Sequence, residues 1–195
     1  MRLVAVITLL VFAFCGATAL LGARWGARHR RGAKVLRRVL GAVLFAAYVY
    51  GVLSQTILGR SQSASHMAQL ELFWSYRASL ALMEDGLAIT SASLLAEIIL
   101  NVLMFVPLGA LLPFALPELF CSRTFMHDVV RVAIVSSACS MAIELAQWRF
   151  RLGLFEFDDI LNNTAGALIG YATYRAVAWI ARKVARHHAE PILLP

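Results

Sequence analysis

The sequence predicts an all-α fold, an integral membrane helical bundle of about five transmembrane helices with one interfacial helix. Three observations carry that reading. Of the 195 residues, 61% are hydrophobic and only 15% charged, whereas soluble domains run at about 45–50% apolar and about 25% charged. Apolar runs recur at about 20 residues, the length that crosses ~30 Å of hydrocarbon as a helix. The basic residues gather directly beside those runs, at Arg24, Arg28, Arg30, Arg31, Lys34, Arg37 and Arg38 and again at Arg182, Lys183 and Arg186. The net charge of +7 therefore fits contact with anionic lipid and the setting of topology, not binding to nucleic acid. The whole chain, 1–195, reads as one membrane domain.

The first run, 3–22, is longer than a usual signal-peptide core. Stronger cations follow it than precede it, so it reads as a spanning helix with its N-terminus outside. Residues 39–58 form the second span, and together these N-terminal helices occupy 3–58. The 59–92 connection mixes Leu70, Phe73, Trp74, Leu80 and Leu82 with polar residues, which suits an amphipathic helix lying at the headgroup level. The third span, about 93–116, carries Glu97 and Asn101 four apart on one face, then Pro107, Gly109 and Pro113. Pro107 removes an intrahelical hydrogen bond and is expected to kink the helix. The fourth span covers about 129–148, and the fifth starts near Asp159 and ends before Arg182. With the two basic clusters inside, the N-terminus lies outside, the C-terminus in the cytoplasm, and the 59–92 and 149–158 connections outside.

Cys15, Cys121 and Cys139 are too few and too scattered for a disulfide framework, and no Cys/His spacing suggests a metal site. The polar residues of 140–171 are the informative ones. Ser136, Ser140, Glu144, Gln147 and Arg151 are spaced four, four, three and four apart, hence on one helical face if the helix reaches Arg151. A carboxylate at the depth of Glu144 needs a partner or a wet recess. Asp158 suits the N-cap of the fifth helix. Asp159 and Asn163 are four apart on another face, and Gly166 and Gly170 form a small-xxx-small pair suited to close packing within the bundle. Glu97, Asn101, Glu144, Gln147, Arg149 or Arg151, Asp159 and Asn163 thus converge on the outer side. They can serve as internal glue, as a recess for a polar ligand or headgroup, or as an acid–base pair. No Ser, Cys or His is set up as an activated nucleophile, so catalysis ranks last and no catalytic residue, metal or cofactor is assigned.

The ordered pattern Asn101-x5-Pro107-Leu108-Gly109, Glu144-x2-Gln147, an arginine, Asp158-Asp159-x3-Asn163-Thr164-x-Gly166 and Gly170-Tyr171 resembles the VanZ-like family. The match covers about 95–175, and residues 1–60 contribute nothing to it. The resemblance singles out Asn101, Glu144, Gln147, Asp158, Asp159 and Asn163 as polar positions, and Pro107, Gly109, Thr164 and Gly166 as packing ones. Arg149 and Arg151 both stand near the family's arginine. The family consists of small bacterial multispan membrane proteins, and its namesake is a teicoplanin-resistance protein. What it implies is a protein of the bacterial cytoplasmic membrane that works on envelope processes or glycopeptide resistance, with membrane lipids and a cell-envelope precursor as partners. A structural membrane protein and a small transporter or enzyme are the alternatives.

Overall fold

A computed structural model describes residues 30–62, 67–120 and 124–187. The expected 3–22 span lies outside the described residues, as do Cys15, Arg24, Arg28 and Cys121. The described chain is nearly all helix. It comprises α1 (Arg30–Leu53), a π-helical turn (Ser54–Leu58), β1 (Ala68–Gln69), α2 (Trp74–Glu84), α3 (Ala88–Ala115), α4 (Pro117–Phe120), α5 (Phe125–Arg149), β2 (Phe155–Glu156) and α6 (Phe157–His187).

Helix α1 presents Val35, Leu36, Val39 and Val43 outward and turns Tyr48 and Val52 inward, and the π turn that follows buries Thr56. At its end the Ser54 hydroxyl donates to Gly51 O at 2.8 Å and the Thr56 hydroxyl to Val52 O at 2.8 Å. Side chains that compete for helical carbonyls loosen the ladder. The helix widens there into a π turn, closed by Gly59 N donating to Ser54 O at 2.9 Å. Within 59–92, where an interfacial helix is expected, lies α2, only 11 residues long. It is stitched to α3 by mutual hydrogen bonds between Ser79 and Ser91, both buried. Before it, β1 pairs in parallel with β2 (Ala68 opposite Phe155, Gln69 opposite Glu156).

Helix α3 runs unbroken through Pro107 and Pro113, and every residue from Met104 to Pro113 is buried. A helix apolar on all sides belongs in the centre of a bundle. It packs most extensively on α6, and glycines set how close the two come. A Cβ on Gly109 would fall 1.8 Å from Ala167 O; on Gly166, 1.9 Å from Val102 O; on Gly170, 1.9 Å from Val106 O. Only glycine permits this backbone-on-backbone contact, the packing that replaces the hydrophobic effect between helices in lipid. Around it, Tyr48, Val52, Phe105, Leu111, Phe120, Val132 and Tyr171 complete the core.

Among the described residues, three segments are long and apolar enough to cross a membrane: Arg38–Leu58, Ala88–Ala115 and Phe125–Arg149. Their outer surfaces expose Val39, Val43, Ile99, Leu103, Val130 and Ile134, which suit lipid rather than water. Helix α6, the expected fifth span, is 31 residues long and more polar than these three. Much of its polarity is turned into the bundle.

Candidate polar site at one end of the bundle

The end formed by the C-terminus of α5, the N-termini of α2, α3 and α6, and the π turn of α1 collects most of the buried polar residues. Helix α5 delivers them on one stripe: Asp128, Val132, Ser136, Ser140, Glu144 and Gln147 are all buried, at intervals of four, four, four, four and three. Glu144 is 2% exposed. Its Oε2 accepts from Glu156 N at 3.1 Å, and Oε1 has no hydrogen-bond partner among the described residues. One turn deeper, Ser140 Oγ accepts from Asn163 Nδ2 at 2.8 Å. One turn nearer the helix end, Gln147 Nε2 donates to Thr56 O at 3.1 Å, a bond that ties α5 to the π turn of α1.

Helix α6 supplies the rest. The half-buried Asp159 accepts from Asn101 Nδ2 of α3. Asp159 and Asn163 are therefore tied to different helices, the first to α3 and the second to α5. Asp158 does not cap its own helix. Its buried carboxylate accepts from Phe73 N at 2.6 Å, Ser75 N at 2.9 Å and Ser75 Oγ at 2.7 Å. These are the free donors at the start of α2, so an aspartate on α6 caps α2 from outside. Phe73 takes a left-handed φ of 58° there. Asn162, which the motif reading passed over, accepts from the Tyr76 hydroxyl. Asn162 Nδ2 and Asn163 Oδ1 are buried without hydrogen-bond partners among the described residues.

The arginines fall elsewhere than the spacing suggests. Helix α5 stops at Arg149, and the backbone turns so that Arg151 adopts a φ of 57°. Both side chains are exposed, so Arg151 leaves the Glu144 face. The cation that acts on the acids is Arg60, just past the π turn. Its charge is felt by Glu144, Glu156 and Asp159, and its Nη1 stands 2.8 Å from where a Cβ on Gly153 would be. No helical period links Arg60 to residues a hundred positions on, so the sequence carried no signal for it. Glu97, expected in the cluster, is exposed, yet its charge still reaches Asp159 and Glu156.

Five carboxylates (Glu97, Glu144, Glu156, Asp158 and Asp159) thus share one field with a single named cation. Glu156, outside the helices, registers it. Burial, then the charges of Asp159, Glu97 and Asp158, push its carboxyl up to about 7, against the opposing pull of Arg60. The Tyr76 hydroxyl is also raised, by burial and then by Asp158. Among the described residues no three His, Cys, Asp or Glu side chains are placed to hold a metal ion. The arrangement can accept hydrogen bonds, attract a positive group and hold protons near neutrality.

The family model VanZ/LLP1 matches residues 39–180 of the chain, so the likeness is longer than the 95–175 motif pattern and reaches into residues 39–60, taking in the parts of α1 to α6 that line this end. Comparison with curated proteins and with solved structures finds no match.

Proposed function

Because the chain belongs to the VanZ/LLP1 family and is a membrane protein, we propose that its task is to recognise the polar head of a cell-envelope lipid or precursor at the Glu144 end of the bundle. The observation that carries this is Glu144 itself. A buried carboxylate surrounded by other acids, with one oxygen unused, is costly to keep; a ligand offering ammonium or hydroxyl donors offsets that cost. Asn101, Gln147, Asp159 and Asn163 supply further polar atoms around it, and Arg60 replaces Arg149 and Arg151 as the cationic member.

In this reading the protein is a multi-pass protein of the bacterial cytoplasmic membrane, N-terminus outside and C-terminus cytoplasmic. The described cations Arg182 and Lys183 lie at the end opposite Glu144, which supports an outward-facing site. Resistance to teicoplanin is its sharpest form. Strains expressing wild type, Glu144→Gln or an empty vector at matched protein levels are compared for teicoplanin susceptibility. Protection by wild type that is lost in Glu144→Gln is the expected result; equal susceptibility of wild type and empty vector removes the resistance form. Cysteine labelling at Gln69 from outside and at Arg182 only after permeabilisation checks the orientation.

A structural role is the second reading, favoured for Asp158 by its three hydrogen bonds to the start of α2. It does not extend to Glu144, whose neighbours are mostly of like charge. A transporter or enzyme ranks third, since among the described residues no Ser, Cys or His in the cluster is paired with a base that would activate it.

A further inference from the structure

The opposite end of the bundle holds a second charged group that the reading above does not use. Asp128, in the first turn of α5, is fully buried. Its Oδ2 accepts from the Tyr171 hydroxyl at 2.9 Å and from Arg175 Nη1 at 3.4 Å. Its Oδ1 faces Arg131 Nη1 at 3.6 Å. Arg175 Nη1 also donates to Tyr171 Oη at 2.8 Å, and its guanidinium lies beside the Phe125 and Tyr171 rings, 5.3 and 5.8 Å from their centroids. Arg131 Nη1 donates to Leu119 O at 2.8 Å.

One buried carboxylate therefore holds two guanidiniums, one from α5 and one from α6, against its two oxygens. Each arginine uses a single nitrogen. Nη2 and Nε of both have no hydrogen-bond partner among the described residues. The side chains are 45% and 31% exposed, so those spare donors are within reach from outside the bundle. Pre-positioned guanidinium forks with free N–H groups match a phosphate oxygen pair. Two arginines against one aspartate leave the group positive.

The surroundings identify the source of the phosphate. Toward the bundle centre, Val130, Ile134 and Ile169 are exposed and apolar. Away from it, Trp179 and Arg182 continue the Arg175 stripe at the fourth and seventh positions. Lys183 Nζ lies over the exposed Trp179 ring at 5.3 Å from its centroid. Apolar surface, then arginines, then an aromatic ring with cations beyond it is the order of groups met on leaving a bilayer through one leaflet. We propose that Arg131 and Arg175, positioned by Asp128, clamp the phosphate of an anionic glycerophospholipid. Its acyl chain lies along Val130 and Ile134, and Trp179, Arg182 and Lys183 flank its headgroup. This stands independently of the function assigned to the Glu144 end.

Trp179 reports on the site. A chain with Trp25, Trp74 and Trp148 changed to Phe is reconstituted in phosphatidylcholine vesicles containing brominated-acyl phosphatidylglycerol or, at equal mole fraction, brominated-acyl phosphatidylcholine. Quenching gives the relative affinity of the two lipids at Trp179. A severalfold preference for phosphatidylglycerol is expected, and each basic residue near the surface accounts for roughly a fivefold factor. Arg131→Gln, on a half-exposed side chain, should lower the preference by about that factor. Arg182→Gln/Lys183→Gln should lower it independently, while Arg38→Gln on α1 should not. Equal quenching by the two lipids in the parent chain overturns the proposal, as does a preference that Arg131→Gln leaves intact or that Arg38→Gln lowers equally. Loss of the preference on adding inorganic phosphate would show a free-phosphate site instead, and also overturns it.

Discussion

Replacing Glu156 with Gln should make the protein more stable at pH 8 and leave it unchanged at pH 4. The backbone of Glu156 pairs with Gln69 in the two-stranded sheet and donates to Glu144, and both interactions survive the change. What is lost is a carboxyl that burial and three neighbouring acids hold at about 7 instead of 4.5. That difference corresponds to about 3 kcal/mol, reduced to roughly 1–2 kcal/mol because the side chain is partly exposed and solvent screens it. The raised value means the folded state holds the proton more tightly than the unfolded chain. The resulting stabilisation is intact below pH 4.5, falls away as pH rises to 7, and is absent above. Gln carries no such titration. Melting followed in detergent between pH 4 and 8 should show the wild type losing more stability through that window than Glu156→Gln, in which the remaining acids still titrate. At about 2–4 °C per kcal/mol for a chain of this size, the curves should separate by several degrees at pH 8. A variant less stable than wild type at pH 8, or a difference independent of pH, would refute the reasoning that the acids of this end repel one another.

Asp158→Ala leaves three donors at the start of α2 uncapped and should cost about 2–4 kcal/mol in a detergent melt; an unchanged melting temperature would deny the cap. Gly166→Ala puts a methyl group 1.9 Å from Val102 O and should destabilise by about 1–3 kcal/mol or more as α3 and α6 separate. Gly32→Ala, where a Cβ meets nothing within 4 Å, serves as its neutral comparison. Tyr171→Phe takes a donor from the fully buried Asp128 and should cost about 1–3 kcal/mol by the same measurement.

The features legible in the sequence are those with a local period. Apolar runs of spanning length marked α1, α3 and α5, and the 4-4-3 spacing placed Ser136, Ser140, Glu144 and Gln147 together because a helix repeats every few residues. The structure extends that stripe to Val132 and Asp128. What was not legible lies between segments. Asp158 reaches Ser75 across 83 positions, and nothing local distinguishes a cap for its own helix from a cap for another. Arg151 shares the Glu144 face only if the helix reaches it, and the helix ends two residues earlier, at Arg149, where the chain turns toward β2. The π turn arises from hydroxyls at Ser54 and Thr56 that a hydropathy reading treats as minor interruptions of a span. Asp128 and Arg175 are 47 positions apart, and only the folded bundle brings them to one point.

The most polar of the four long described helices is also packed closely on two of its neighbours, α3 and α5, and the two facts have one cause. Helix α6 touches α3 through Gly166 and Gly170, which bring the backbones together, and α5 through Ser137–Thr164 and Ser140–Asn163 hydrogen bonds. A helix held that closely presents a narrow surface to lipid, so it need not be apolar throughout and can carry polar groups at both ends. At its N-terminus Asp158 and Asp159 fix α2 and α3; three to four turns on, Tyr171 and Arg175 fix α5 through Asp128. Both polar clusters are thus anchored on one rigid rod. A ligand at the Glu144 end that drew Asp159 from Asn101 could shift α6 only by disturbing the glycine contacts or the Asp128 group. Motion at the polar site is therefore confined to what surrounds α6: the short α2, the two-residue sheet and the π turn bearing Thr56.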